Sequence, residues 1–195
     1  VPDVQSSERL VALGDAGRRL LLSAERPIVL APQREAAGVA ASVAPGAREL
    51  GVMLPYSPLH HLLLADCGMP LVLTSGNVSD EPIAFRDEDA WQRLGAIADL
   101  FLIHDRPIET RTDDSVVRVA QVAGELQTVT VRRSRGYVPR SLTLPGSGAA
   151  RPVLACGAEL KNTFCVAKGK RAWVSHHIGD LENLETLRSF SDGIE

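Results

Sequence analysis

The densest chemistry in the chain lies in residues 74–86, TSGNVSDEPIAFR. An apolar run, Leu71 to Leu73, gives way to Thr74, Ser75, Gly76 and Asn77, with Ser79, Asp80 and Glu81 close behind. A strand that stops in a small hydroxyl–Gly–Asn turn brings side-chain donors and free backbone N–H groups to one point. Such a point suits phosphates or a small polar acyl group; the tetrapeptide alone also reads as a plain polar turn. Ser75, Asn77 and Ser79, at alternate positions, can bind phosphate oxygens through hydroxyl and amide groups without adding charge.

Three later segments add charge: His104-Asp105-Arg106, then RTDDSVVR at 111–118, then RRSRGYVPR at 132–140. Adjacent carboxylates on a strand point to opposite faces, so Asp113 and Asp114 cannot both serve one site. One of them is expected to hold Mg²⁺ or order an arginine while the other is solvated, unless both are strand-edge charges. Arg106, Arg111 and Arg118 are read as spaced through strands. Each offers a planar fork for phosphate, with surface salt bridging as the other reading. Arg132, Arg133 and Arg135 form a second basic cluster ahead of Gly136. His60 and His61 are adjacent on an expected helix, about 100° apart, which excludes an i, i+4 metal pair. Capping, packing or contact with a small acyl group remains open to them, and to His104.

These residues need elements to position them. Ser6 and Ser7 cap a helix expected to run to about Ala24, its reading weakened by Gly14 and Gly17. Pro27–Ala31 and Gly51–Leu54 read as short buried strands. Ser57-Pro58 starts a helix over His60–Cys67 that Gly68 ends. Pro70–Thr74 reads as a strand and Asp87–Ala98 as a helix. Strands are expected at 100–103, 114–122 and 126–133, with a hairpin turn at Gly124-Glu125. PGSGAAR at 145–151 reads as a linker. Beyond it, 152–156, 163–168 and 171–176 form a meander turning at Gly169-Lys170, followed by a helix from Leu181 to Phe190. The 44 residues past the linker are too few to bury a core alone and should lean on the first domain.

Composition sets the frame. A length of 195 residues suits one domain plus a remainder. A hydrophobic content of 45% with 23% charged residues describes an ordinary globular chain. No apolar run nears the roughly 20 residues of a membrane span, and no signal peptide opens the chain, so a cytoplasmic protein is expected. Cys67, Cys156 and Cys165 are scattered, without metal-ligand spacing. A net charge of −3 and an aromatic content of 4% count against an RNA-binding module, the reading from another class. Only Lys161, Lys168 and Lys170 stand against eighteen arginines, so residues 1–160 offer no lysine to a phosphate.

Together with LPYSPLHHLLL at 54–64 and GAELKNT at 157–163, these motifs resemble the hydrogenase maturation carbamoyltransferase (HypF) family, in its order, from Val29 onward. The resemblance is to the second part of that family's YrdC-like carbamoyl-adenylating domain and the start of its Kae1-like domain. It implies an α/β (α+β) fold: a twisted mixed sheet of the YrdC/Sua5 type with flanking helices, then the first β-meander of a Kae1-like, actin/Hsp70-type domain. The implied layout is a YrdC-like domain over 1–144, a linker at 145–151 and an incomplete Kae1-like domain over 152–195. A nucleotide-binding lysine of the family would precede Val1, so the chain reads as an excised fragment, inactive alone.

The resemblance implies catalytic roles for Arg106, Ser115 and Arg118. It implies nucleotide contacts from Ser75, Asn77, Ser79, Asp114, Arg132, Arg135, Lys161 and Asn162, and substrate contacts from His60, His61 and Thr74, with no metal ligands. HIGD at 177–180 is similar to the family's SQHIGDL stretch, with His176 in place of the usual Gln. ATP, Mg²⁺ and carbamoyl phosphate, as carbamate, are the implied reactants; zinc belongs to family regions absent here. The implied acceptor is the C-terminal cysteine of a partner maturation protein, whose carbamoyl group becomes a cyanide ligand of [NiFe]-hydrogenase. A threonylcarbamoyl-adenylate synthase of tRNA modification is the nearest alternative.

Overall fold

In the computed structural model, which describes residues 1–35, 37–79 and 81–194, the helix expected from Ser6 to Ala24 is two helices, α1 (Val4–Leu10) and α2 (Gly14–Leu22). Asp80, read above within the polar loop, lies outside the described residues. The N-cap is Asp3, whose carboxylate accepts the Ser6 N–H at 2.6 Å. Ser6 and Ser7 are buried inside α1 instead, and the Ser7 hydroxyl donates to the Val4 carbonyl at 2.6 Å. The break follows from Val11, which leaves the helix to bridge Gln33, and from Gly14 at φ +63, where L side chains are disfavoured.

Two units divide the chain: Val1–Leu73 with Asp114–Tyr137, and Thr74–Asp113 with Val138–Glu195. In the first, β1 (Ile28–Pro32) pairs antiparallel with β2 (Glu49–Val52) and parallel with β3 (Val116–Val122). The edge strand β4 (Glu125–Arg132) pairs antiparallel with β3, giving the order β2-β1-β3-β4. This is the mixed sheet of an α/β fold. Alternation puts Val29, Ala31, Leu50, Val52 and Val117 on one face, where they form a core with Val11, Leu13 and Leu21. Glu49, Gly51 and Arg118 take the other face. A Cβ at Gly51 would sit 2.8 Å from Ile28 Cγ2, so a larger residue at this strand position would require Ile28 to shift.

Helix α3 (Pro58–Cys67) forms as expected: Ser57 accepts the His60 N–H at 3.2 Å, and Gly68 closes the helix at φ +64. The β3–β4 turn is Ala123-Gly124, at φ 52 and 87, one residue earlier than expected.

The second unit holds α4 (Asp87–Leu94), α5 (Leu184–Ile194) and an antiparallel sheet of β5 (Leu142–Thr143), β6 (Ala149–Cys156), β7 (Phe164–Gly169) and β8 (Arg171–Val174), in the order β5-β8-β7-β6. The β7–β8 turn is Gly169-Lys170, as expected. Ala149–Arg151, expected in the linker, instead open β6. The strands expected at 70–74 and 100–103 join neither sheet, and Val72 and Leu100 are 69% and 89% exposed. An apolar run becomes a strand only where a neighbour supplies the ladder, and none does so among the described residues. Helix α4 stops at Leu94, and α5 starts three residues later than expected, where Asn183 Oδ1 accepts the Glu185 N–H at 2.9 Å.

Candidate functional site

The first unit gathers its chemistry around Arg135. Its Nε meets Asp114 Oδ1 at 2.6 Å, and its two terminal nitrogens donate to the Glu25 and Arg26 carbonyls at 3.1 and 2.8 Å. The guanidinium also lies over the Tyr56 ring, 3.4 Å from its centroid. Local sequence makes this approach possible, because a Cβ at Gly136 would meet the Glu25 carbonyl oxygen at 2.6 Å. Tyr56 in turn presents its ring to His60, centroid to centroid 4.6 Å and nearly perpendicular.

Beneath this cluster Ser115 is fully buried. Its hydroxyl donates to the Arg135 carbonyl at 2.9 Å and accepts the Ser134 N–H at 2.7 Å. The serine therefore clasps the start of β3 to the segment carrying Arg135. Arg118, on β3, pairs with Glu49 at 2.9 Å. Arg132 ends β4, half-buried. His61, beside His60 on α3, is exposed.

Electrostatics separate the members of the cluster. Burial lowers the His60 imidazole below the usual histidine range, with Asp114 opposing and Arg135 reinforcing. Burial raises the Tyr56 phenol, and the Asp114 carboxylate adds to the rise. His60 Nδ1 and Arg118 Nε are buried without a hydrogen-bond partner among the described residues. Such orphaned groups cost free energy unless a ligand or water satisfies them. The cluster can therefore offer an imidazole nitrogen of His60 to a small polar ligand, and Arg118, paired with Glu49 on β2, has a guanidinium N–H of its own left over.

In the second unit the TSGN loop is braced by itself. The Ser75 hydroxyl donates to Asn77 Oδ1 at 2.6 Å, Asn77 Nδ2 donates to the Val78 carbonyl at 2.9 Å, and the Ala84 N–H closes on the Gly76 carbonyl at 2.8 Å. Thr74, Ser75 and Ser79 are exposed. Arg106 and Arg111 lie outside any strand, a correction to the expected spacing; of the three arginines only Arg118 stands on one. Arg106 is exposed, its backbone N–H donating to His104 Nδ1 at 3.2 Å.

Lys161, at φ 53, gives Asp180 both its Nζ, at 2.9 Å, and its backbone N–H, at 2.6 Å. These bonds hold the Asp180 carboxyl below the usual carboxylate range. Asn162 is buried: Nδ2 donates to the Ala158 carbonyl at 2.6 Å, while Oδ1 has no partner among the described residues.

The fold thus brings His60, Asp114, Ser115 and Arg135 together. It sets Thr74, Ser75, Asn77 and Ser79 in one loop, and Lys161 with Asn162 in one hairpin. Sequence reasoning missed Tyr56 and Ser134. Tyr56 stands next to the Ser57 cap, where a side chain meets the first turn of the helix, and that spacing was a usable signal. Nothing local marks Ser134, whose partner is 19 residues away.

Comparison with known proteins places these features. The Sua5/YciO/YrdC family, described as telomere recombination, matches residues 1–134, and the HypF Kae1-like domain matches residues 148–195. A carbamoyltransferase HypF of Rhizobium leguminosarum bv. viciae is 43% identical over 96% of this chain and 25% of its own length. One from Synechocystis is 46% identical over 90% of this chain and 22% of its own. Full-length HypF, solved in a phosphate- and nucleotide-bound form, superposes over 100% of this chain and 30% of its own at a TM-score of 0.90 and 41% identity. HypF of T. kodakarensis does so at a TM-score of 0.89 and 34% identity, over 25% of its length. The chain spans about a quarter of the length of the curated relatives it matches.

Proposed function

The chain belongs to the Sua5/YciO/YrdC family, and on that premise we propose that it is the adenylating part of a HypF-type carbamoyltransferase, followed by the opening of its Kae1-like domain. The observation that carries this reading is the unbroken likeness to HypF along the chain, at a TM-score of 0.90. The proposed boundary between the parts, at 145–151, begins in the gap at 135–147 between the two family matches and overlaps the first four residues of the second.

The proposed substrates are ATP and carbamoyl phosphate, the latter entering as carbamate after water has cleaved it and inorganic phosphate has left. A carbamate oxygen forms a bond to the α-phosphorus, the bond from that phosphorus to the β-phosphate bridge breaks, and pyrophosphate leaves with the electron pair. Arginine forks stabilise the charge that grows on the leaving group. In the first unit Arg118 and Arg132 are proposed for this role, and His60, with its unpartnered Nδ1, for contact with carbamate. Asp114 and Ser115 hold Arg135, which lies over the Tyr56 ring that in turn faces His60. The exposed loop of Thr74, Ser75, Asn77 and Ser79 supplies neutral donors suited to phosphate oxygens, and Arg106 a further cation.

Mg²⁺ is proposed to arrive on the ATP phosphates, where it would neutralise charge. Among the described residues no three His, Cys, Asp or Glu side chains gather into a metal-holding group. The carbamoyl group is proposed to pass to the C-terminal cysteine of a partner maturation protein, in the cytoplasm. No helix among the described residues is long and apolar enough to cross a membrane. The match of 148–195 to the HypF Kae1-like domain favours carbamoyl over threonylcarbamoyl chemistry.

Calorimetric titration with ATP and Mg²⁺, beside Asn77→Ala and Arg118→Ala variants, tests the reading. Saturable binding weakened in both variants is expected. Binding untouched by either substitution, or AMP formation that depends on threonine, overturns it.

A further inference from the structure

A cavity of about 420 Å³ opens within the second unit, walled by Phe85, Arg86, Arg93, Arg111, Asn183 and Glu185 among others. Its walls come from both family matches, since 81–111 lies in the first and 183–185 in the second. Its charges decide what it can hold. Arg93 is spent inside the wall, paired with Glu81 and Asp89 at 2.9 Å each. Glu185 pairs along α5 with Arg188. The three carboxylates of the wall thus already have arginine partners.

Two cations in the wall are differently placed. Arg86 rests against the Phe85 ring, its guanidinium carbon 5.3 Å from the centroid. Arg111 donates to the Ser189 hydroxyl on α5 at 2.6 Å, a neutral partner. Asp113 and Glu185 act on Arg111 electrostatically, yet neither Arg86 nor Arg111 has an ion pair among the described residues. Arg111 is half-buried, and burial pulls it below the usual arginine range. A desolvated guanidinium with donors left over is a strong partner for an oxyanion, because both charges then interact away from bulk water.

We infer that this cavity is an oxyanion site, taking a phosphate-class group between Arg86 and Arg111 with α5 as its far wall. Nothing in the proposed adenylation chemistry uses it, and it stands whether or not that reading does. An anion bound there would join the segment 81–93 to the start of α5, so occupancy would also order the unit.

The test is calorimetric titration of the full 195-residue chain with inorganic phosphate at low ionic strength, with Arg111→Gln and Glu185→Gln beside it. Saturable binding is expected, weakened about tenfold or more by Arg111→Gln, the scale of one charge-assisted hydrogen bond. Glu185→Gln should tighten binding about two- to threefold by removing a repelling charge. That gain cannot come from misfolding, and circular dichroism checks that the Arg111→Gln variant is folded. ATP titrated into the same variants separates the two sites, since Arg111→Gln should leave ATP affinity in place if ATP binds elsewhere. Absence of phosphate binding, or phosphate binding that neither substitution changes, overturns the inference.

Discussion

The Arg135 cluster and the TSGN loop are both polar, both built on short motifs, and held in opposite ways. Arg135 spends its guanidinium on Asp114, two carbonyls and the Tyr56 ring, reaching back about 110 residues to Glu25 and Arg26. The loop's side chains bond within 74–78, and its hydroxyls face solvent. In the first case side-chain geometry is fixed by the fold before any ligand arrives, so stability and function share the same atoms. In the second the bonds are local and exposed, and a ligand can exchange for them at little cost. Substitutions should therefore read out as stability in one region and as binding in the other.

The largest effect should come from Arg135→Ala. It strips donors from a carboxylate and two carbonyls and leaves Tyr56 without its cation, so a loss of about 2–3 kcal/mol is expected. The shift in urea midpoint at unchanged m-value measures it. Arg135→Lys keeps the charge but not the planar fork, and should recover only part of the loss. An Arg135→Ala variant as stable as the parent would break the contrast outright. Ser115→Ala should follow at about 1–2 kcal/mol, because the Ser134 N–H would be left buried without its acceptor.

Acid should act more weakly and on both regions. Burial lowers His60 in the first unit and His176 in the second. The unfolded chain then takes up the proton first, near the ordinary histidine value of about 6.5. Stability from each group is whole above that pH and lost as pH falls through the lowered folded value. Urea midpoints at pH 7.5 and 5.5 should differ in that direction. His60→Gln and His176→Gln should each flatten the slope, and a slope indifferent to both would show that other groups carry the acid response.

What the sequence made legible follows the same divide. Elements with local signals came out where expected: Ser57-Pro58 and Gly68 bound α3, and Gly169-Lys170 turns β7 into β8. The mixed sheet was readable from early αβ alternation followed by hairpins. Elements that depend on distant partners did not. The runs at 70–74 and 100–103 have strand composition but no ladder, and Val11 breaks the first helix for a bridge to Gln33. Among site residues, Arg135 and Asp114 were visible as charges, yet their pairing, their stack on Tyr56 and the burial of Ser115 are long-range facts. Asn162 was visible through its motif, while its burial and the bond of its Nδ2 to the Ala158 carbonyl were not.

The smallest stability effect belongs to Asn77→Ala, and it sharpens the comparison most. The loop's bonds to Asn77 span one or two residues and its neighbours are solvated, so a change within about 0.5 kcal/mol is expected. ATP binding should nonetheless fall, because the amide is among the neutral donors proposed for the phosphates. Urea midpoint and calorimetry on the same preparation give both numbers. A loss matching that of Ser115→Ala would make Asn77 a brace like Arg135, and the loop would then be scaffold. Unchanged stability with weakened binding would show the opposite: a loop folded by its own short-range bonds, whose donors are free to turn to a ligand.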